Sequence, residues 1–374
     1  MKIIVAIDAF KGCLSSAEAG AAAEQAVRAV LPQAELLRIP IADGGEGTLE
    51  ALQAVLGGDW VDCTVQDPLR RPIQSAYLRL GEQAFIESAK ACGLPLLTTE
   101  ERNPMIATSF GVGELIRHAL EAGCRELSIG LGGSATNDAG MGLFQALGYR
   151  FLDAEGRELE SGGAALQRLA TIDDSQAHPL LKTARFHLIC DVQNPLYGPE
   201  GAAYVFASQK GAAPEQLEAL DAGLRCMGTA LERLSGMDVA KLPGGGAAGG
   251  MGASLVCLLG AKPYAGIQWL LDSMHFDEKL RGATLLITGE GRADRQTLMG
   301  KAPYGLLQAA QKQKVPVVLF AGSLQDRALL LQAGFQAVYA VSEGLPLNLA
   351  LQPARAGQNI SACVMQHLRK NFYL

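Results

Sequence analysis

The chain has 374 residues, of which 49% are apolar and only 19% charged, and its formal net charge is −6. That length allows two ordinary domains with cores large enough to need no covalent staples, and that balance excludes a disordered chain. No run of lysines and arginines provides the basic stripe of a nucleic-acid binder, so any anionic ligand must be captured by local groups.

Eight cysteines lie far apart, with no C-x-x-C pair, and most sit in apolar stretches such as HLIC (187–190) and SLVCLL (254–259). They read as buried small hydrophobes in a reducing compartment. The apolar run IIVAI (3–7) is too short for a signal peptide. The uncharged stretch from Leu242 to Ala261 is broken by glycines throughout, unlike a membrane span. A cytoplasmic protein with no nucleic-acid or membrane partner is expected; a homo-oligomer is compatible with the sequence.

In chain order, Lys2–Ile7 reads as a buried strand and Ser16–Val30 as an Ala-rich helix, with Ser15 and Glu18 spaced as a capping box. A strand at Glu35–Ile41, the loop ADGGEG (42–47) and a helix from Glu46 to Leu56 follow. Strand and helix alternating in this way predict a parallel sheet. From Val61 to Ala89 two-residue alternation and Pro/Gly turns predict β ribbons.

A helix at Gly111–Ala122, a strand at Glu126–Leu131 and a helix at Asn137–Leu147 come next. YRFLDAEGREL (149–159) reads as a hairpin turning at Ala154–Gly156. Phe186–Cys190 is a short buried strand, Ala213–Leu234 a helix, and PGGGAAGGMGA (243–253) a glycine-rich segment. The last part of the chain resumes the strand and helix alternation of its beginning, with TLLITG (284–289), a helix at Pro303–Gln313, PVVLFAGS (316–323), AVYAV (337–341) and a helix at Ala356–Lys370. The two ends therefore read as one α/β parallel-sheet domain, residues 1–74 and 283–374, with a second α/β domain, 75–282, inserted.

In open parallel sheets ligands collect at the carboxyl ends of the strands. Here those ends deliver Asp8 with Lys11, Asp43 with Glu46, Glu87, Ser134 with Thr136, Asn137 and Asp138, Asp191 with Asn194, Glu290 with Arg292 and Asp294, and Ser323. One such carboxylate is usually a helix cap. So many beside glycines suggest a site rich in carboxylates and backbone N–H groups, which suits phosphoryl transfer. Yet no Walker A pattern occurs, since Gly300-Lys301 is followed by Ala302. The protein-kinase motifs and a complete G-x-G-x-x-G are missing too.

Nine segments together resemble the bacterial glycerate kinase family: IDAFKGCLSS (7–16), ADGGEGT (42–48), RNPMIATSFGVGELI (102–116), GLGGSATNDAGMG (130–142), CDVQNPLYGPEGA (190–202), SQKGA (208–212), PGGGAAGGMGA (243–253), TGEGRADRQT (288–297) and GKAPYG (300–305). They stand in the family's order and span most of the chain. The resemblance implies ATP- and Mg²⁺-dependent phosphorylation of D-glycerate, with 2-phosphoglycerate the expected product. It also implies a flavodoxin-like domain with a second α/β domain inserted and a cleft between them. One departure is Ala139, which stands where the family commonly has glycine.

Asp191 is the first candidate for base or Mg²⁺ ligand, with Asp8 or Asp43 next as base and Asp294 as a second metal candidate. Lys11 is set against a phosphate or the substrate carboxylate, or else in an ion pair with Asp8. Gly44, Gly45, Glu46, Gly132, Gly133, Ser134, Thr136, Asn137, Asp138, Asn194, Glu290 and Arg292 are expected to bind substrate or phosphate; plain helix capping is the alternative for Asp43, Glu46 and the GGSATND loop. Gly244–Gly252 either wraps nucleotide or packs backbone tightly. A kinase for another small hydroxy acid, a nicotinamide-dependent oxidoreductase and a non-catalytic sensor are the competing functions.

Overall fold

In the computed structural model, which describes residues 1–10, 12–42 and 47–372, thirteen strands are found among the described residues. In chain order they are β1 (Lys2–Ile7), β2 (Glu35–Arg38), β3 (Asp59–Gln66), β4 (Pro72–Leu80), β5 (Gln83–Glu87), β6 (Glu126–Gly130) and β7 (Arg150–Leu152). β8 (Thr171–Asp173), β9 (Arg185–Ile189), β10 (Lys262–Tyr264), β11 (Ala283–Ala293), β12 (Val317–Leu324) and β13 (Ala337–Ala340) complete the set. The chain divides into a terminal unit, Met1–Asp43 with Glu50–Leu56 and Ala265–Leu374, and a middle unit, Gly44–Leu49 with Gly57–Tyr264. The first limit differs from the expected 74/75 because β3 pairs with β4 along its whole length, which keeps 59–74 with the middle sheet. The second lies before 282/283 because residues 265–282 join the terminal unit, where Gln313 Nε2 donates to Asp277 O at 2.6 Å.

The terminal unit holds a five-stranded sheet ordered β13-β12-β11-β1-β2, every pairing parallel. Counted within the unit that is 2-1-3-4-5, the flavodoxin-like order, whose direction of winding reverses between β1 and β11. The period-two pattern of the strands puts Ile3, Val5, Ile7, Leu285, Ile287, Val318 and Phe320 on one face. That face packs under Ala19, Ala23 and Val27 of the helix Ser16–Val30 and under Ile360, Val364 and Leu368 of the helix Pro353–Phe372. The expected capping box is present: Ser15 Oγ accepts from Glu18 N, and the Glu18 carboxylate accepts from Ser15 N. β2 stops short of Ile41 because Ser16 Oγ comes between the strands, accepting from Ile41 N at 2.8 Å and donating to Ile7 O at 2.6 Å.

The middle unit is built on a mixed sheet, β10-β9-β6-β5-β4-β3, in which β5, β6, β9 and β10 are parallel and β3, β4 and β5 form an antiparallel meander. Its core joins Ile86, Leu127, Ile129 and Leu188 to Val112, Leu115, Ile116 and Leu120 of the helix Phe110–Glu121. The hairpin expected over 149–159 turns at Ala154–Gly156, with Asp153 N donating to Arg157 O at 2.9 Å and an antiparallel bridge between Leu152 and Glu158, and β7 pairs in addition with β8. The eight cysteines are all free; Cys92 and Cys124 are buried, whereas the other six are half-buried rather than fully inside. Among the described residues no helix is long and apolar enough to cross a membrane.

Candidate functional site

Two clusters collect the candidate residues, one in each unit. In the terminal unit they stand where the sheet changes direction of winding. Asp8 follows β1 directly and is buried; its N–H bonds Gly289 O at 2.9 Å, and its Oδ1 accepts from Ala9 N at 2.7 Å. Glu290 faces in from β11. It is buried, and its Oε1 accepts from Thr297 Oγ1 at 2.6 Å while its Oε2 lies 3.3 Å from Lys301 Nζ. Burial raises the Glu290 carboxyl above its ordinary range, against the pull of Thr297 and Lys301.

Asp294 caps the short turn Arg295–Met299 by accepting from Gln296 N at 2.8 Å, and its other oxygen pairs with Arg292 Nε at 3.0 Å. Asp8, Glu290, Arg292, Lys301 and Ser323 line a cavity of about 540 Å³ together with Phe10, Cys13, Leu345, Leu347, Ala350 and Leu351. Every described residue lining it belongs to the terminal unit.

In the middle unit the sequence GGSATND (132–138) does not enter a helix at once. Ala139 and Gly140 take left-handed φ values of 49° and 75°, so the helix expected from Asn137 begins only at Met141. Asp138 holds this turn. Its Oδ2 accepts from Ser109 N, Ser109 Oγ and Gly142 N at 2.8, 2.8 and 3.2 Å, and its Oδ1 from Gly140 N at 3.1 Å. Burial pushes its pKa up even though four donors favour the carboxylate.

Lys210 comes up beneath the loop, 3% exposed, donating to Ser134 Oγ at 3.1 Å and to Thr136 O at 2.7 Å. Burial lowers its pKa to about 8, opposed by Cys92 and Asp138. Beside it Thr136 Oγ1, Asn137 Oδ1 and Nδ2, and Ser88 Oγ are buried and reach no hydrogen-bond partner among the described residues. Thr136 and Ser88 lie close enough to Cys92 to favour its thiolate, but burial dominates and pushes that thiol up to about 12, so it is neutral. Orphaned polar atoms of this kind are costly, and three neighbouring residues carrying them call for a ligand or ordered water.

The remaining candidates are placed as follows. Gly132 and Gly133 form the start of the same loop, where Gly133 O accepts from Leu94 N at 2.9 Å. Asp191 follows β9 and is exposed, and Asn194 Nδ2 donates to Glu200 O at 2.8 Å. Gly244–Gly252 packs against protein backbone: a Cβ on Gly249, at φ +69°, would sit 2.1 Å from Thr136 O. Lys11, Asp43, Gly44, Gly45 and Glu46 lie outside the described residues. The strand-end rule missed Lys210, Ser109 and Thr297, because none of them ends a strand. The residues around Lys210 in SQKGA give no local signal of its role.

A family model described as the glycerate kinase family matches residues 3–369. The chain is 42% identical over 383 residues to Glycerate kinase of Bacillus subtilis (strain 168), with both chains covered in full. It is 41% identical over 378 residues to Glycerate 2-kinase of Escherichia coli (strain K12), covering 99% of each. A crystal structure assigned to glycerate kinase 2 of Salmonella typhimurium LT2 is similar with a TM-score of 0.86 at 42% identity, over 99% of this chain and 98% of that one.

Proposed function

Because the chain belongs to the glycerate kinase family, we propose that it transfers the γ-phosphoryl group of ATP to the 2-hydroxyl of D-glycerate, as a magnesium-dependent enzyme. The observation that carries this reading is the loop 132–140. A buried ammonium and orphaned hydroxyl and amide groups suit a small acid that brings a carboxylate and two hydroxyls. Lys210 would meet the substrate carboxylate, with Thr136 and Asn137 reading its hydroxyls. Asp138 would act through the backbone, fixing the turn with its four accepted hydrogen bonds.

Magnesium takes few protein ligands, usually one or two carboxylates beside phosphate oxygens and water. Among the described residues there is no cluster of three or more His, Cys, Asp or Glu that would cage an ion. Asp8 and Glu290 on one cavity supply two carboxylates, a donor set that fits a nucleotide-borne ion. Asp294 is committed to its cap and to Arg292. When bound, the ion offsets charge on the phosphates. Asp191, exposed beyond β9, remains the proposed base for the hydroxyl proton.

The test is ³¹P NMR of the product formed from D-glycerate, ATP and Mg²⁺. A 2-phosphoglycerate signal is expected; 3-phosphoglycerate would overturn the regiochemistry, and no sugar-acid phosphate would overturn the reading. Asp191→Asn should lower kcat by about 100-fold; turnover near normal in the folded variant would remove Asp191 from the base role.

A further inference from the structure

We propose that Gly249 and Ser254 are positioning residues for the loop 132–140: they fix both main-chain groups of Ala139, and so hold Thr136 and Asn137 where their side chains tell D- from L-glycerate. The proposal rests on the reading of that loop as the glycerate site. It goes beyond it by giving the glycine-rich segment 243–254 a part in specificity.

The contacts converge on one residue. Ala139 N donates to Gly249 O at 3.0 Å, and Ser254 Oγ donates to Ala139 O at 2.5 Å across 115 residues of sequence. Ser254 is fully buried, so its hydroxyl has no water to turn to if that bond is lost. Gly249 lies against the backbone of the loop itself, where a side chain would overlap Thr136 O and the Cα of Asn137.

The two turns that meet there are both left-handed. Ala139 and Gly140 have φ values of 49° and 75°, and Ala248, Gly249 and Gly250 have 50°, 69° and 97°. That region is unfavourable for an alanine, so neither turn is the one its own residues prefer. Strain of this kind persists where the surroundings over-determine it, and it gathers at ligand sites. Asp138 and Ser109 hold the first turn from one side; Gly249 and Ser254 hold it from the other.

Recognition depends on what this shape leaves over. Thr136 Oγ1 and both polar atoms of Asn137 have no partner among the described residues, while Thr136 O is taken by Lys210. These atoms directly precede Ala139, so a shift of Ala139 moves them. D- and L-glycerate carry the same carboxylate and hydroxyls and differ only in arrangement, so only contacts fixed relative to one another can separate them. The same segment also reaches the loop after β9, where Gly246 N donates to Asn194 O at 3.0 Å, shortly beyond Asp191. One element therefore sets the substrate loop and the loop of the proposed base.

The experiment is steady-state kinetics of the full chain, wild type and Ser254→Ala, with D-glycerate and ATP as substrates and L-glycerate as competitor. The variant is expected to raise KM for D-glycerate by about tenfold, with KM for ATP and Ki for L-glycerate within about twofold of wild type. Neither KM nor Ki depends on how much of the enzyme is folded, so a merely structural role moves none of them. An unchanged KM for D-glycerate, or three constants rising in parallel, overturns the proposal. Hydrogen exchange of the wild type needs no variant to fold: D-glycerate should slow exchange in 134–140 and 246–254 together. Protection confined to 134–140 overturns the coupling and leaves the glycerate site standing. Protection in neither segment, from enzyme that turns over D-glycerate, removes the loop as the glycerate site and the proposal with it.

Discussion

The loop at 132–140 and the cavity beside β1 and β11 both concentrate charge, and they stabilise it in opposite ways. Around the loop, charge is fully enclosed: Asp138 is 0% exposed and answered by four donors, and Lys210 is 3% exposed and answered by two oxygens. Around the cavity, buried carboxylates meet cations that reach solvent, with 37% of the Lys301 side chain and 62% of the Arg292 side chain exposed. Enclosure makes the loop rigid and intolerant of change, as suits recognition of one small molecule. Partial exposure leaves the cavity's charges free to exchange partners when a charged ligand arrives.

Asp138→Ala is the severest test of that contrast. It strips the acceptor from four donors that the fold cannot re-expose, so a loss of about 4 kcal/mol in unfolding free energy is expected from urea titration. A loss under about 1 kcal/mol would mean that the turn holds without its carboxylate, and the enclosed loop would no longer differ from the cavity rim.

Lys210 sharpens the contrast through pH. Its folded pKa, about 8, lies below its ordinary 10.5, so between those values the unfolded chain binds more protons and stability rises with pH. Lys210→Met has no such proton to lose. The wild type should therefore gain roughly 3 kcal/mol on the variant as pH climbs from about 8 to about 10.5, measured by urea titrations at stepped pH. Parallel curves would show that the ammonium is solvated.

How much of this was legible in the residues depended on whether the signal was local. The strand Lys2–Ile7, the helix Ser16–Val30 and its capping box follow from period and spacing alone, and the structure has all three. The helix expected from Asn137 was lost to tertiary chemistry: Asp138 is claimed by Ser109, 29 residues earlier, and no local propensity reports that. Ala139 carries a trace of it. The structure puts that alanine at φ 49°, a conformation that costs an L residue about 1 kcal/mol. Lys210 was invisible as a site residue because what marks it is burial under a loop 76 residues away in sequence from its Ser134 contact.

Glu290→Gln probes the cavity side, and there the sign is reversed. Burial raises the Glu290 carboxyl above its ordinary 4.5, so the folded state holds its proton longer than the unfolded chain does. Stability from this group is complete below about 4.5 and is lost as pH rises through the folded value. The uncharged amide escapes that loss, and what it forgoes, a pair with the part-exposed Lys301, contributes about 0.5 kcal/mol or less. The variant should therefore fall within about 1 kcal/mol of wild type at neutral pH and lose ground to it on acidification, in urea titrations at stepped pH. The buried base and the buried acid would then bracket the neutral range, each disfavoured once charged. If Glu290→Gln instead lost several kcal/mol at neutral pH, the cavity carboxylate would be as enclosed as Asp138, and the division between a rigid loop and an adaptable cavity would collapse.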